Sequence, residues 1–111
     1  MILDELNQLL KESVMKTATQ DALQIDKILL DQVEFEISTE ESRGDYASSC
    51  CLKLAKQFNK KPLELAESIV ANLADEKIEN IKIEGPGFIN VFITSDRKGS
   101  LLLDMLYMGY V

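Results

Sequence analysis

The stretch EGPGFINVFI, Glu84 to Ile93, decides the fold. Side chains on an extended strand point alternately to its two faces. Ile89, Val91 and Ile93 therefore share one face, a β-branched core face, while Phe88, Asn90 and Phe92 share the other. Just upstream, Ile81 and Ile83 alternate with Lys82 and Glu84, and Gly85-Pro86-Gly87 between the two runs is turn chemistry. Together they read as a β-hairpin. Its second face is unusual: it carries two aromatic rings and a carboxamide on the side expected to meet water.

Further toward the N-terminus, VEFEI (Val33 to Ile37) alternates in the same way, with Val33, Phe35 and Ile37 facing inward. The remaining apolar residues follow helical spacing. Ile2, Leu6, Leu9, Leu10 and Val14 predict a first helix, and Leu23, Ile25, Ile28 and Leu29 a short second one with Asp21 near its start. After the polar loop STEESRGDYASS, Asp45 occupies an N-cap position, and Ala47, Cys51, Leu54, Ala55 and Phe58 mark the buried stripe of a third helix. Pro62 suits the first turn of a fourth, whose stripe is Leu65, Ala66, Ile69, Val70 and Leu73. A last amphipathic segment spans roughly Asp96 to Met108, with Leu102, Leu103, Leu106 and Met105 on its apolar side. The order ααβααββα predicts one α+β two-layer domain over residues 1–111. It has an antiparallel sheet of three to four strands, with helices on one face and the other face open.

With 111 residues, 46% hydrophobic and 28% charged, the chain suits a single globular core that buries roughly 65% of its unfolded surface without staples. No apolar run reaches the ~18 residues of a membrane span, and MILDELNQLLKES is acidic and amphipathic, unlike a leader peptide. The expectation is a cytoplasmic protein with no membrane partner. Histidine is absent, so neither a Ser-His-Asp triad nor a His-ligated zinc site can form. Two adjacent cysteines, Cys50 and Cys51, cannot complete a thiolate site, and no glycine spacing matches a phosphate loop. Carboxylates are plentiful, but no pair is singled out by spacing. No catalytic residue and no metal ligand are assigned, and the chain itself is expected to hold no cofactor.

Other motifs have plain readings. Arg43-Gly44-Asp45 is the adhesion tripeptide, yet a helix cap explains Asp45. Cys51 lies on the apolar stripe and consecutive helical side chains diverge, so the cysteines are expected to pack. Lys53, Lys56, Lys60 and Lys61 cluster in a chain of net charge −7. They suit either a solvated helix end or a phosphate-contacting edge. The net charge argues against a free-standing nucleic-acid binder. The Phe88, Asn90, Phe92 face suits either a covered domain interface or an unpaired base, which needs a stacking ring and a donor and acceptor for its edge.

Three ordered motifs narrow this choice. GDYASSCCLKLAK (Gly44 to Lys56), KPLELAESIVANL (Lys61 to Leu73) and IEGPGFINVFI (Ile83 to Ile93) resemble, in order and spacing, the N-terminal domain of arginyl-tRNA synthetases, over essentially the whole chain. One departure is Ser49, where that family often has Asn. The resemblance implies an appendage that touches the D-loop corner of tRNA-Arg, with Phe88 and Asn90 at the positions that help recognise a D-loop base. Phe92 joins them by strand alternation alone. It further implies a longer parent, an ATP- and magnesium-dependent class I ligase of translation. Neither its His-x-Gly-His nor its Lys-Met-Ser-Lys-Ser signature occurs here, so its catalytic domain would be a partner following this segment. Other domains would then supply most phosphate contacts. The rival reading is a structural or partner-docking module whose sheet face is covered by protein.

Overall fold

The helical period read from Ile2 to Val14 is realised, and the helix runs on past it. The computed structural model describes residues 2–38, 44–73, 75 and 78–93, and in it α1 runs Ile2–Gln20. Ile2, Leu6, Leu10 and Val14 are buried along one stripe. The helix ends where Ala22 takes a left-handed φ of 55°. The amides of Ala22 and Leu23 then return to the carbonyls of Thr19 and Ala18 at 3.1 and 2.8 Å, satisfying acceptors that a helix end leaves orphaned.

The second helix starts later than its apolar spacing suggests. α2 covers Lys27–Asp31, and its cap is Asp26, which accepts from the Ile28 amide at 3.2 Å. Asp21 belongs instead to the end of α1 and pairs with Lys60 at 2.7 Å. Leu23 and Ile25 pack against the core from the connecting segment.

A larger correction concerns residues 44–49. The expected helix start at Asp45 is a strand: β2, Tyr46–Ser48, pairs antiparallel with β1 (Glu36–Ile37) on one side and with β4 (Phe88–Ile93) on the other. Asp45 therefore caps no helix. Its carboxylate accepts from the Ile93 amide at 2.9 Å, and its own amide donates to the Val91 carbonyl at 2.8 Å. Helix α3, Cys50–Phe58, begins only after β2. Ser49 in the N-cap position makes no side-chain cap bond, whereas Ser48 Oγ accepts from the Cys50 amide at 3.2 Å and donates to the Glu34 carbonyl at 2.6 Å. That second bond stands in for a ladder bond where β2 runs out. With the Phe35 amide donating to Asn7 Oδ1 at 2.7 Å, it holds the segment extended beside β2; Val33, Phe35 and Ile37 are buried in alternation although only two residues of the segment pair as a strand.

Helix α4, Pro62–Ala71, has Pro62 in its first turn as expected, and β3, Ile78–Glu84, completes the hairpin. The four strands run in the order β1-β2-β4-β3, all antiparallel. A bulge between Ile78 and Asn80 reverses the alternation of β3. It lets Ile78, opposite Ile93, share a face with Ile81 and Ile83, opposite Val91 and Ile89. Helices α3 and α4 pack on each other and against the hairpin, and α1 packs on α4. The described elements follow the order ααββααββ, an α+β arrangement on an open antiparallel sheet. The expected helix from Asp96 to Met108 lies outside the described residues, as does Arg43.

Candidate nucleic-acid interface

The pairing register says which side chains share the second face of the sheet. Asn90 lies opposite Ala47 in β2 and Lys82 in β3, Phe88 lies opposite Glu84, and Phe92 opposite Asn80. Glu36 of β1 extends the Asn90 row at the far edge. Ile89, Val91 and Ile93 are wholly buried on the core face, so the alternation read from the sequence holds.

The three expected site residues differ in accessibility. Phe88, at the turn end of β4, is 38% exposed, and Phe92 is half-buried. Asn90 is only 2% exposed, and its Nδ2 donor has no hydrogen-bond partner. A carboxamide on the expected open face is thus already out of water. The strand order says what surrounds it. β4 is interior, so Asn90 has Ala47 and Lys82 beside it and Phe88 and Phe92 two residues away along the strand. Lys82, Phe88 and Phe92 are each longer than Asn90 and flank it on this face. Buried donors are rarely left without an acceptor, and each one invites an explanation.

Two glycines hold this face in place. A Cβ on Gly87, whose φ is +141°, would stand 2.9 Å from the carbonyl atoms of Pro62. The hairpin turn therefore sits directly against the start of α4, which brings Lys61, the residue before Pro62, to the Phe88 end of the sheet. Gly44, with φ +99°, lies equally close to Val91: a Cβ there would be 2.7 Å from its carbonyl oxygen. Only glycine allows the backbone to approach so closely in that conformation.

The four lysines do not form one group. Lys53 and Lys56 are exposed on α3, and Lys61 is exposed at the cap of α4. Lys60 is ion-paired to Asp21 with both side chains about three-quarters covered. Its position follows from the left-handed Asn59 (φ 53°), after which the Lys60 amide returns to the Ala55 carbonyl at 3.1 Å. Lys82 is a cation that sequence reasoning passed over. Its ammonium stands 5.4 Å from the centroid of the Phe92 ring, within the range of a cation–π contact. The signal was present, because the Gly-Pro-Gly turn that pairs Glu84 with Phe88 also pairs Lys82 with Asn90.

Cys50 and Cys51 are both buried and both free, in keeping with packing. The hydrogen bond between them holds the Cys50 thiol below its ordinary value and pushes Cys51 well above it. Among the described residues no group of three His, Cys, Asp or Glu side chains could hold a metal ion, and no helix is long and apolar enough to cross a membrane.

The same chain pattern recurs in known proteins. A family model described as the arginyl tRNA synthetase N terminal domain matches residues 4–93. An arginine–tRNA ligase of Bacillus licheniformis is 33% identical over 108 residues, 96% of this chain and 18% of that protein. One from Pseudomonas syringae pv. tomato is 34% identical over 90 residues, 80% of this chain and 15% of that protein. The chain thus spans less than a fifth of the length of these relatives. A solved arginyl-tRNA synthetase from Plasmodium falciparum superposes with a TM-score of 0.71 over 91% of this chain and 17% of its own, at 19% identity, a likeness of fold. By a match over most of its length and by relatives above 30% identity, this chain belongs to the family of arginyl-tRNA synthetase N-terminal domains.

Proposed function

We propose that this domain serves an arginine–tRNA ligase by contacting the D-loop corner of tRNA-Arg. ATP, with magnesium, would be used by a catalytic domain elsewhere in the same parent chain, in the cytoplasm where tRNA is charged. The observation that carries the reading is the pairing of an exposed ring, Phe88, with a neighbouring carboxamide whose buried donor has no acceptor. A base stacked on Phe88 would present its edge toward Asn90, and the unmet donor is what such an edge satisfies. The net charge of −7 leaves most phosphate contacts to other domains, so this one adds shape and a base contact.

The test is a titration of the full-length protein with tRNA-Arg and with a transcript altered at the D-loop base. Phe88→Ala should weaken binding of the unaltered tRNA by about 1 kcal/mol, the low end for a stacked base, since the ring is already more than half covered. It should weaken the altered tRNA less. Equal loss on both would favour the second reading, a sheet face covered by protein. One observation speaks for that alternative: Asn90 is already shielded.

The lysines make a separate prediction. Replacing Lys53, Lys56 and Lys61 by Ala should flatten the salt dependence of tRNA binding, each true phosphate contact contributing a slope of about −0.9 on duplex. Lys60→Ala should change the slope least, because its charge is matched by Asp21 at 2.7 Å. A slope that responds to Lys60 as strongly as to the others would show that the ion pair opens on binding.

A further inference from the structure

We infer that Lys82 is the phosphate-contacting residue of the nucleotide site proposed above, with Phe92 acting as its seat. The inference rests on that reading of the sheet face. Lys82 is exposed and lies opposite Asn90 in the same row, with its ammonium 5.4 Å from the Phe92 centroid. A cation drawn to a ring face is held over the sheet, and the ring face beneath it is no longer free to stack a base. Phe92 is also half-buried, whereas Phe88 is exposed. The two rings therefore have different tasks.

Charge supports the same division. Among the described residues Lys82 makes no ion pair, although the chain carries 19 acidic against 12 basic residues. Among the described residues the acids on this face are Glu84, two residues further along β3, and Glu36 on the opposite edge strand. Beside Lys82, the Asn90 Nδ2 is a second donor with no acceptor. Two adjacent donors, one of them charged, select a ligand rich in acceptors and negative. Phe88 selects a flat ring on the same ligand. A nucleotide within an RNA chain combines the three features. An acidic peptide has the charge without the base, and a neutral base has the edge without the charge. Lysine is a point charge, so it takes the phosphate without reading the sequence.

The experiment uses the full-length protein and an unmodified tRNA-Arg transcript, titrated between 50 and 200 mM salt. Lys82→Gln should lower the slope of log affinity against log salt by about 0.7 to 0.9, so that the variant loses about threefold less affinity across that range than the wild type does. The loss should be the same for a transcript altered at the D-loop base. Phe92→Leu, which keeps an apolar side chain but removes the ring, should reproduce part of the loss and add nothing to Lys82→Gln, because both act on one contact. An unchanged slope in Lys82→Gln, while Phe88→Ala still weakens binding, overturns the assignment and leaves the nucleotide site standing. No loss in either variant overturns both. A further loss from Phe92→Leu in the Lys82→Gln background would make Phe92 a stacking surface and sink the seat.

Discussion

Gly44→Ala should unfold this domain at a temperature at least about 12 °C lower than the wild type. Two costs add at that position. The backbone at φ +99° is closed to residues with a Cβ, and forcing one there costs about 1–3 kcal/mol. The new carbon would also stand 2.7 Å from the Val91 carbonyl oxygen and 3.2 Å from its carbon. Those atoms belong to an interior strand paired on both sides, so they cannot retreat as a flexible side chain would. The chain at Gly44 has to move instead. It then loses the Asp45 amide bond to Val91 and strains the Asp45 carboxylate bond to the Ile93 amide, at 2.8 and 2.9 Å. Each such bond contributes about 1 kcal/mol. A total near 3 kcal/mol or more corresponds to at least that shift in a domain of this size, at about 4–8 °C per kcal/mol. Gly85→Ala is the control. Its φ is +53°, but the nearest atom to a Cβ is Phe88 Cδ2 at an ordinary 3.7 Å, so only the left-handed backbone penalty of about 1–2 kcal/mol applies. Thermal unfolding followed by circular dichroism separates the two. Equal melting of the two variants would mean that the Val91 contact carries no energy.

The same tight approach shows where sequence reasoning ends. The hairpin, the stripe of α1 and the proline start of α4 are local: period, turn chemistry and a missing amide hydrogen specify them without reference to the rest of the chain. Residues 44–49 are not. Gly-Asp-Tyr before an apolar helical run has every mark of a cap, and nothing nearby announces that Tyr46 will pair with Val91, 45 positions later. A three-residue strand has too few alternations to declare itself. Asp21 and Asp26 posed the same difficulty on a smaller scale. Either could cap a helix, and the choice follows from how far α1 extends and from Lys60, which the sequence does not place beside Asp21.

Accessibility on the second face was illegible for a related reason. Alternation divides a strand into two faces, but it does not say whether the strand is interior or at an edge. Strand order decides that, and β4 lies between β2 and β3. Phe88, near the turn, keeps its exposure; Asn90, in the middle of the row, loses it. The bulge at Ile78 is a second non-local effect, since plain alternation would have put Ile78 and Ile81 on opposite faces. Alternation told which side chains of β4 share this face; their accessibility, and the place of Lys82 beside them, it did not tell.

Asn90→Ala in the full-length protein should reduce tRNA charging by roughly five- to more than a hundredfold in kcat/KM, while leaving the melting temperature unchanged or slightly higher. The first half follows from a lost base-edge contact, worth about 1–3 kcal/mol. The second follows from the state of the free protein. The Asn90 Nδ2 is buried with no acceptor, a situation that costs about 1–3 kcal/mol of unrecovered solvation. Removing it relieves that cost and offsets the small cavity left by the amide. The same burial makes the contact effective, because a ligand does not have to strip water from a donor that has none. It also sets a condition. The exposed side chains beside the amide, Phe88 and Lys82, must settle against the ligand, Phe88 under the base and Lys82 toward the phosphate, as the edge reaches Asn90, a side-chain adjustment common at interfaces. Wild-type affinity therefore already includes that rearrangement, and the variant loses the reward without losing the cost. The decisive measurement is the cycle with a tRNA altered at the D-loop base. On the proposed reading the two changes delete one contact, and their combined effect is smaller than the sum. Strict additivity for every D-loop substitution, together with a lower melting temperature in Asn90→Ala, would assign the carboxamide to the architecture of the sheet.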